Sequence, residues 1–159
     1  GLGALRGEFS QLASEHRQFL SRRYRLPEPR VAFGQALTER GLGHAGMDVS
    51  DGLAADLGHI CKASNCGARV ILPQVPVSPA LAELLADDPD LMLSAVTGGD
   101  DYELIVAAPP DQLPEVQAAA AATGTQVTEI GVLTSGKDVI FTDSDGEPIA
   151  LPRAGFTHF

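Results

Sequence analysis

The 159-residue sequence has no tryptophan, two tyrosines and six phenylalanines, so an aromatic platform for stacking bases has little to be built from. Positive charge is scarce as well: 11 Lys+Arg stand against 21 Asp+Glu, a formal net charge of −10. A nucleic-acid binder needs a basic face to displace phosphate counterions, and this balance argues against one. No apolar run approaches the roughly 20 residues of a membrane span, and the first residues carry no basic-then-apolar leader. The two cysteines, Cys61 and Cys66, are too few and too close for a disulfide framework and read as thiols of a reducing cytoplasm. A phosphate-binding signature of the GxxxxGK[ST] type is missing, as is a Gly-x-Ser-x-Gly elbow. His44, His59 and His158 do not fall at zinc-ligand spacing with the cysteines.

What is present is a chain of ordinary globular composition, 44% hydrophobic and 20% charged. Residues 1–40 hold seven Lys+Arg against four acids, whereas 41–159 hold four against 17. The acidic part suits a cation, or an anion carried by one. Apolar spacing predicts a helix over 8–24, an extended Leu26–Pro29 link, and a second helix from Pro29 to Arg40 closed by Gly41. We divide the chain accordingly into an arm with helices, 1–40, and a main α/β domain, 41–159.

In the main domain, a strand is predicted over His44–Val49, followed by a helix burying Leu53, Leu57, Ile60 and Cys61 and stopped at Asn65. Arg69–Leu72 reads as a strand, and Ser78-Pro79 caps a helix reaching Ala86. Ala95–Asp101 reads as a glycine turn into a strand, Tyr102–Ala107, and alanine-rich Asp111–Thr123 as a helix. Strands at Val127–Leu133 and Asp138–Thr142 and a turn at Ser144-Asp145-Gly146 complete the chain. The fold class is mixed α and β, a sheet covered by helices.

Two constellations could carry chemistry. In Met47-Asp48-Val49-Ser50-Asp51-Gly52, the period of two sends Asp48 and Ser50 to one side of a strand, and Asp51 follows at the turn. Two carboxylates about 4 Å apart repel by ~4 kcal/mol at an effective dielectric of 20. A hard cation between them removes that repulsion, and Mg²⁺ binds through one or two carboxylates plus phosphate oxygens. The competing reading is a helix cap by Ser50 or Asp51 with Asp48 solvated. In Thr97-Gly98-Gly99-Asp100-Asp101-Tyr102-Glu103, glycines permit close backbone approach ahead of three acids. That loop suits a cationic ring or a metal, or else merely keeps a strand end soluble. Arg22, Arg23 and Arg25 could meet phosphates, but a solvated helix end is the commoner arrangement and is expected here.

Together these strings resemble one family. Asp48-Val49-Ser50-Asp51-Gly52-Leu53 with Asp56-Leu57-Gly58-His59 is similar to the D-[IV]-S-D-G-L…D-L-G-H segment of bacterial thiamine-monophosphate kinases. Thr97-Gly98-Gly99-Asp100-Asp101-Tyr102-Glu103-Leu104 resembles their S-G-G-E-D-Y-E-L, and Gly155-Phe156-Thr157-His158-Phe159 their G-[FY]-x-H-F ending. Tyr24 to Arg30 resembles their Y-x-x-P-x-P-R stretch.

The resemblance implies the C-terminal domain of the aminoimidazole ribonucleotide synthetase superfamily, with an ATP-binding N-terminal domain expected ahead of Gly1. It implies direct, Mg²⁺-assisted transfer of the ATP γ-phosphoryl to thiamine phosphate in a cytoplasmic homodimer. It further implies Mg²⁺ ligands in Asp48 and Asp51, an ATP contact in Ser50, and substrate contacts in Asp100 and Phe156. No covalent catalytic residue is implied. Asp100 stands where the family has glutamate, one methylene longer, and Arg153 lies where an aromatic residue is expected. Alternatives are another ATP-using superfamily member, of synthetase or hydrogenase-maturation type, a non-catalytic ligand-binding module, and a structural domain whose acids only cap and solubilise. Residues 1–159 alone are expected to be inactive, because half of an interdomain cleft cannot orient two substrates.

Overall fold

The computed structural model describes residues 1–152. Two short helices open the chain: α1, Leu2–Arg6, ends at Gly7 in the left-handed conformation, and α2 spans Ser14–Arg25. The helix expected over 8–24 therefore begins six residues later. Leu12, on the expected apolar stripe, is buried in the turn before α2 and not on a helix face. Helix α3, Val31–Arg40, closes at Gly41 in the left-handed conformation, where a side chain would be disfavoured.

Strand β1 (Ala45–Asp48) runs into α4 (Leu53–Ser64), which stops at Asn65 with φ 51°. Strand β2 covers Gly67–Ile71, and α5 covers Pro79–Asp87 with the Ser78 Oγ accepting from the Leu81 N–H at 3.2 Å. Helix α6, Leu91–Thr97, lies where only a turn was expected; its seven residues are too few to show a helical period. Strand β3 (Leu104–Ala107), helix α7 (Leu113–Ala122), and strands β4 (Gly131–Thr134), β5 (Val139–Thr142) and β6 (Pro148–Ile149) follow. Strand β3 starts two residues later than Tyr102 because Tyr102 itself has φ 54°, outside the extended region.

The strands form two sheets. Strands β1 and β3 pair antiparallel with Asp48 opposite Leu104, and the order β4-β2-β5-β6 makes a mixed sheet. Helix α4 lies on this second sheet, so that Leu53, Leu57 and Cys61 meet Ala68, Val70 and Phe141 in one core with Val49 and Val96. Phe141 is 1% exposed, and burial of a side chain this size contributes about 2–3 kcal/mol. A second core joins Phe33 and Leu37 of α3 to Val116, Ala119 and Ala120 of α7, with Leu104 and Val106 of β3 against it. The C-terminal end of β1 thus leaves a ladder that rests on one core and delivers Val49 into the other. The segment that follows is held from both sides.

Candidate functional site

The site is built where the two acidic motifs meet. Past the end of the β1–β3 ladder the pairing continues through backbone bonds. Val49 N–H donates to the Glu103 carbonyl at 2.8 Å, Tyr102 N–H to the Val49 carbonyl at 2.8 Å, and Asp100 N–H to the Ser50 carbonyl at 2.9 Å. Segments fifty residues apart in sequence therefore lie along one another. Asp100 and Tyr102 take φ of 69° and 54° to make these bonds, conformations that side-chain-bearing residues adopt only when their surroundings enforce them.

The glycines of both motifs are placed by this contact. A Cβ on Gly52, whose φ is 115°, would stand 2.8 Å from the Gly98 carbonyl oxygen and 2.9 Å from the Thr97 carbonyl carbon. A Cβ on Gly99 would overlap the Ser50 carbonyl oxygen. The two turns touch backbone to backbone, which only glycine permits.

The turn before α4 is fixed by a residue that sequence reasoning did not single out. Asp56 is 1% exposed, and its Oδ2 accepts from the N–H groups of Ser50 at 2.9 Å, Asp51 at 3.0 Å and Gly52 at 3.2 Å. This is the logic of a capping box, in which an acid of the first turn reaches back to satisfy donors ahead of the helix. The carboxylate also lies at the positive end of the helix dipole. These amides are thus taken by Asp56, and not by a Ser50 or Asp51 cap. An acid four residues after Gly52, inside the first turn of a predicted helix, is the sequence signal that points to it.

Of the expected site residues, Asp48 is exposed at the end of β1, Ser50 and Asp51 are half-buried in the turn, and Asp100 is exposed on the facing loop. The structure brings the peptides of Ser50 and Asp100 together directly. Asp51, Asp56 and His59 each place a ligand atom within 4.8 Å of the others, and Asp48 lies outside this group. Phe156, and Arg153 with it, lie outside the described residues.

Glu103, the last acid of the second motif, closes a polar network with the arm. Its Oε1 accepts from Arg23 Nη2 at 2.7 Å and from Arg30 Nη2 at 2.7 Å, while Oε2 accepts from Arg30 Nε at 2.8 Å. Arg23 also reaches Glu28 at 2.8 Å. The hydrogen bond to Glu103 raises the pKa of Arg30 further. Arg23 is thus engaged, contrary to the solvated helix end expected for it; Arg22, 74% exposed at its side chain and 3.9 Å from Glu28, keeps that character. The forked Arg30–carboxylate pair ties the arm to the motif loop. Because Glu103 remains 44% exposed, Arg30→Ala should cost only about 1 kcal/mol, and less at high salt. Urea denaturation at low and high ionic strength checks this, and a loss independent of salt would contradict it.

Asp101 sits between charges of both signs. Asp101 is exposed as a residue, yet partial withdrawal of its carboxyl from water pushes its pKa up to about 6; the Gly1 amine opposes this, whereas Glu103 and Asp100 reinforce it. A carboxyl with a folded pKa of about 6 against 3.8 binds its proton more tightly in the folded chain. The associated stabilisation is complete below about pH 4 and is lost as pH rises through 6. Asp101→Asn should therefore flatten the fall in melting temperature between pH 4 and 6. An unaltered slope would show that other groups produce it. Cys61, buried against Cys66, has its pKa raised by that burial and is no activated thiolate.

Comparison with known proteins places this geometry. The domain family described as AIR synthase related protein, C-terminal domain, matches residues 7–144. Thiamine-monophosphate kinase from Escherichia coli O157:H7 is 37% identical over 159 residues, covering 100% of this chain and 48% of that protein. The enzyme of the same name from Caulobacter vibrioides is 41% identical over 140 residues, 86% of this chain and 39% of that protein. The chain spans about half the length of the curated relatives it matches. Among solved structures, thiamine-monophosphate kinase from Stenotrophomonas maltophilia K279a superposes with a TM-score of 0.79 at 39% identity, over 93% of this chain and 47% of that one. AaThiL, solved in complex with AMPPCP and TMP, shares the fold with a TM-score of 0.76 at 23% identity, over 99% of this chain and 47% of that one. With its two sheets, covering helices and interlocked acidic loops, the chain belongs to the AIR synthase related family, as a C-terminal domain of that kind.

Proposed function

We propose that the chain is the C-terminal part of a cytoplasmic, homodimeric kinase that transfers the γ-phosphoryl of ATP to thiamine phosphate, giving thiamine diphosphate. An N-terminal domain of the same chain supplies the rest of the nucleotide site. The observation that carries the reading is the backbone lock between Ser50 and Asp100, which holds the turn we assign to the nucleotide against the loop we assign to the acceptor. Relatives named thiamine-monophosphate kinase at 37% and 41% identity support it, as does a related fold solved with an ATP analogue and TMP.

The donor set fits a hard cation. Asp48 is exposed at the end of β1 and Asp51 half-buried in the turn that follows, whereas Asp56 spends one oxygen on three backbone amides. These two residues would hold Mg²⁺, which when bound would neutralise phosphate charge. Ser50 presents its hydroxyl to the nucleotide from a turn whose backbone cannot shift. Asp100 is the residue assigned to the cationic thiamine, and Phe156, assigned to the same substrate, lies outside the described residues. The attacking phosphate oxygen is already ionised at neutral pH, so the site needs positioning and charge neutralisation instead of a covalent nucleophile.

The test is acceptor dependence. The complete protein, with ATP and Mg²⁺, should release ADP rapidly when thiamine phosphate is added and only slowly with unphosphorylated thiamine or with acceptors of the synthetase and hydrogenase-maturation branches. ADP release stimulated by one of those acceptors instead would move the assignment to that branch. Binding of nucleotide and thiamine phosphate with no turnover would make the protein a binding module.

A further inference from the structure

Asp56 has no place in the proposed chemistry, yet it is among the most completely buried side chains of the domain, at 1% exposure. A buried carboxylate is costly unless its acceptors are used, and here one oxygen collects three consecutive N–H groups. The same peptide unit continues the chain of bonds: the Ser50 N–H donates to Asp56 at 2.9 Å, and the Ser50 carbonyl accepts from Asp100 N–H at 2.9 Å. From this geometry we infer that Asp56 is the positioning residue of the site, fixing the 50–52 turn directly and Asp100 through the Ser50 peptide. It touches neither substrate nor reacting atoms. The inference rests on the kinase reading for its effect on turnover, but its structural half stands without it.

The physical basis is preorganisation. Without Asp56, three amides ahead of α4 must find water, the turn samples other conformations, and Asp51 and Asp100 no longer hold one geometry. Loss of the charge weakens bonds that are stronger than neutral ones.

The experiment uses the complete protein with Asp56→Asn, which keeps size and one carbonyl acceptor, and Asp56→Ala beside it. Amide hydrogen exchange and the Mg²⁺ concentration giving half-maximal activity are measured together. In Asp56→Asn, exchange at Ser50, Asp51, Gly52 and Asp100 should accelerate about tenfold while that of Ile60 and Cys61, deeper in α4, is unchanged. Half-saturating Mg²⁺ should rise by about tenfold, with a larger rise for Asp56→Ala if that variant folds.

Unchanged exchange at the four amides overturns the inference. So does uniform acceleration through α4, which would make Asp56 a general structural residue. Local loosening with unaltered Mg²⁺ dependence in an active enzyme overturns it too. If the wild-type protein makes no thiamine diphosphate, the kinase reading fails, and the exchange pattern alone then decides the role of Asp56.

Discussion

Asp51→Asn in the complete protein is expected to lower turnover by about 10²- to 10³-fold, the scale of losing one electrostatic contact at developing charge. Asparagine has nearly the same shape, and the Asp51 N–H that donates to Asp56 at 3.0 Å belongs to the backbone, so it survives the substitution. The three backbone donors to Asp56 should keep the turn in form. What is lost is the negative charge at the residue proposed to hold Mg²⁺. Steady-state rates at saturating ATP, over a range of Mg²⁺ concentrations, measure the effect. Turnover within about threefold of wild type would remove Asp51 from the metal site, since that corresponds to less than 1 kcal/mol.

The second large effect concerns stability. Gly52→Ala should destabilise the domain by about 3 kcal/mol, combining a positive-φ cost of about 1–2 with overpacking of about 1–3. The new methyl group meets backbone atoms, the Gly98 oxygen at 2.8 Å and the Thr97 carbonyl carbon at 2.9 Å, and neither can rotate away. The two motif loops would have to separate, so activity should fall with stability. Gly58→Ala is the control. Gly58 lies inside α4 with open space around its would-be Cβ, and alanine there should stabilise by about 0.5–1 kcal/mol. Equal urea midpoints for the two variants would show that the loop contact carries no weight.

These expectations depend on features that differ in how far the sequence reveals them. Helix α4 and its stop at Asn65 were readable because Leu53, Leu57, Ile60 and Cys61 repeat at helical spacing and Asn65 tolerates a left-handed φ. The Ser78 cap of α5 was readable for the same local reason. The start of α2 was not, since Phe9 and Leu12 fit the helical spacing while Gly7, at φ 79°, turns the chain first. In the site, the types and order of Asp48, Ser50, Asp51 and Asp100 were legible as acids beside glycines. Their lock was not, because Asp100 to Ser50 is a backbone bond and spacing says nothing about which backbones will touch. The Arg30–Glu103 fork, 73 residues apart in sequence, lay beyond local reading in the same way.

The proposed function assigns the two interlocked loops to the metal and the acceptor of one transfer, and the most direct measurement of that claim is stoichiometry. The complete protein is supplied with ATP, Mg²⁺ and thiamine phosphate, and thiamine diphosphate and ADP are quantified in the same samples. The account predicts that the two products appear in equal amounts and that both vanish in Asp51→Asn. ADP released without thiamine diphosphate, from a folded wild-type protein, would contradict it.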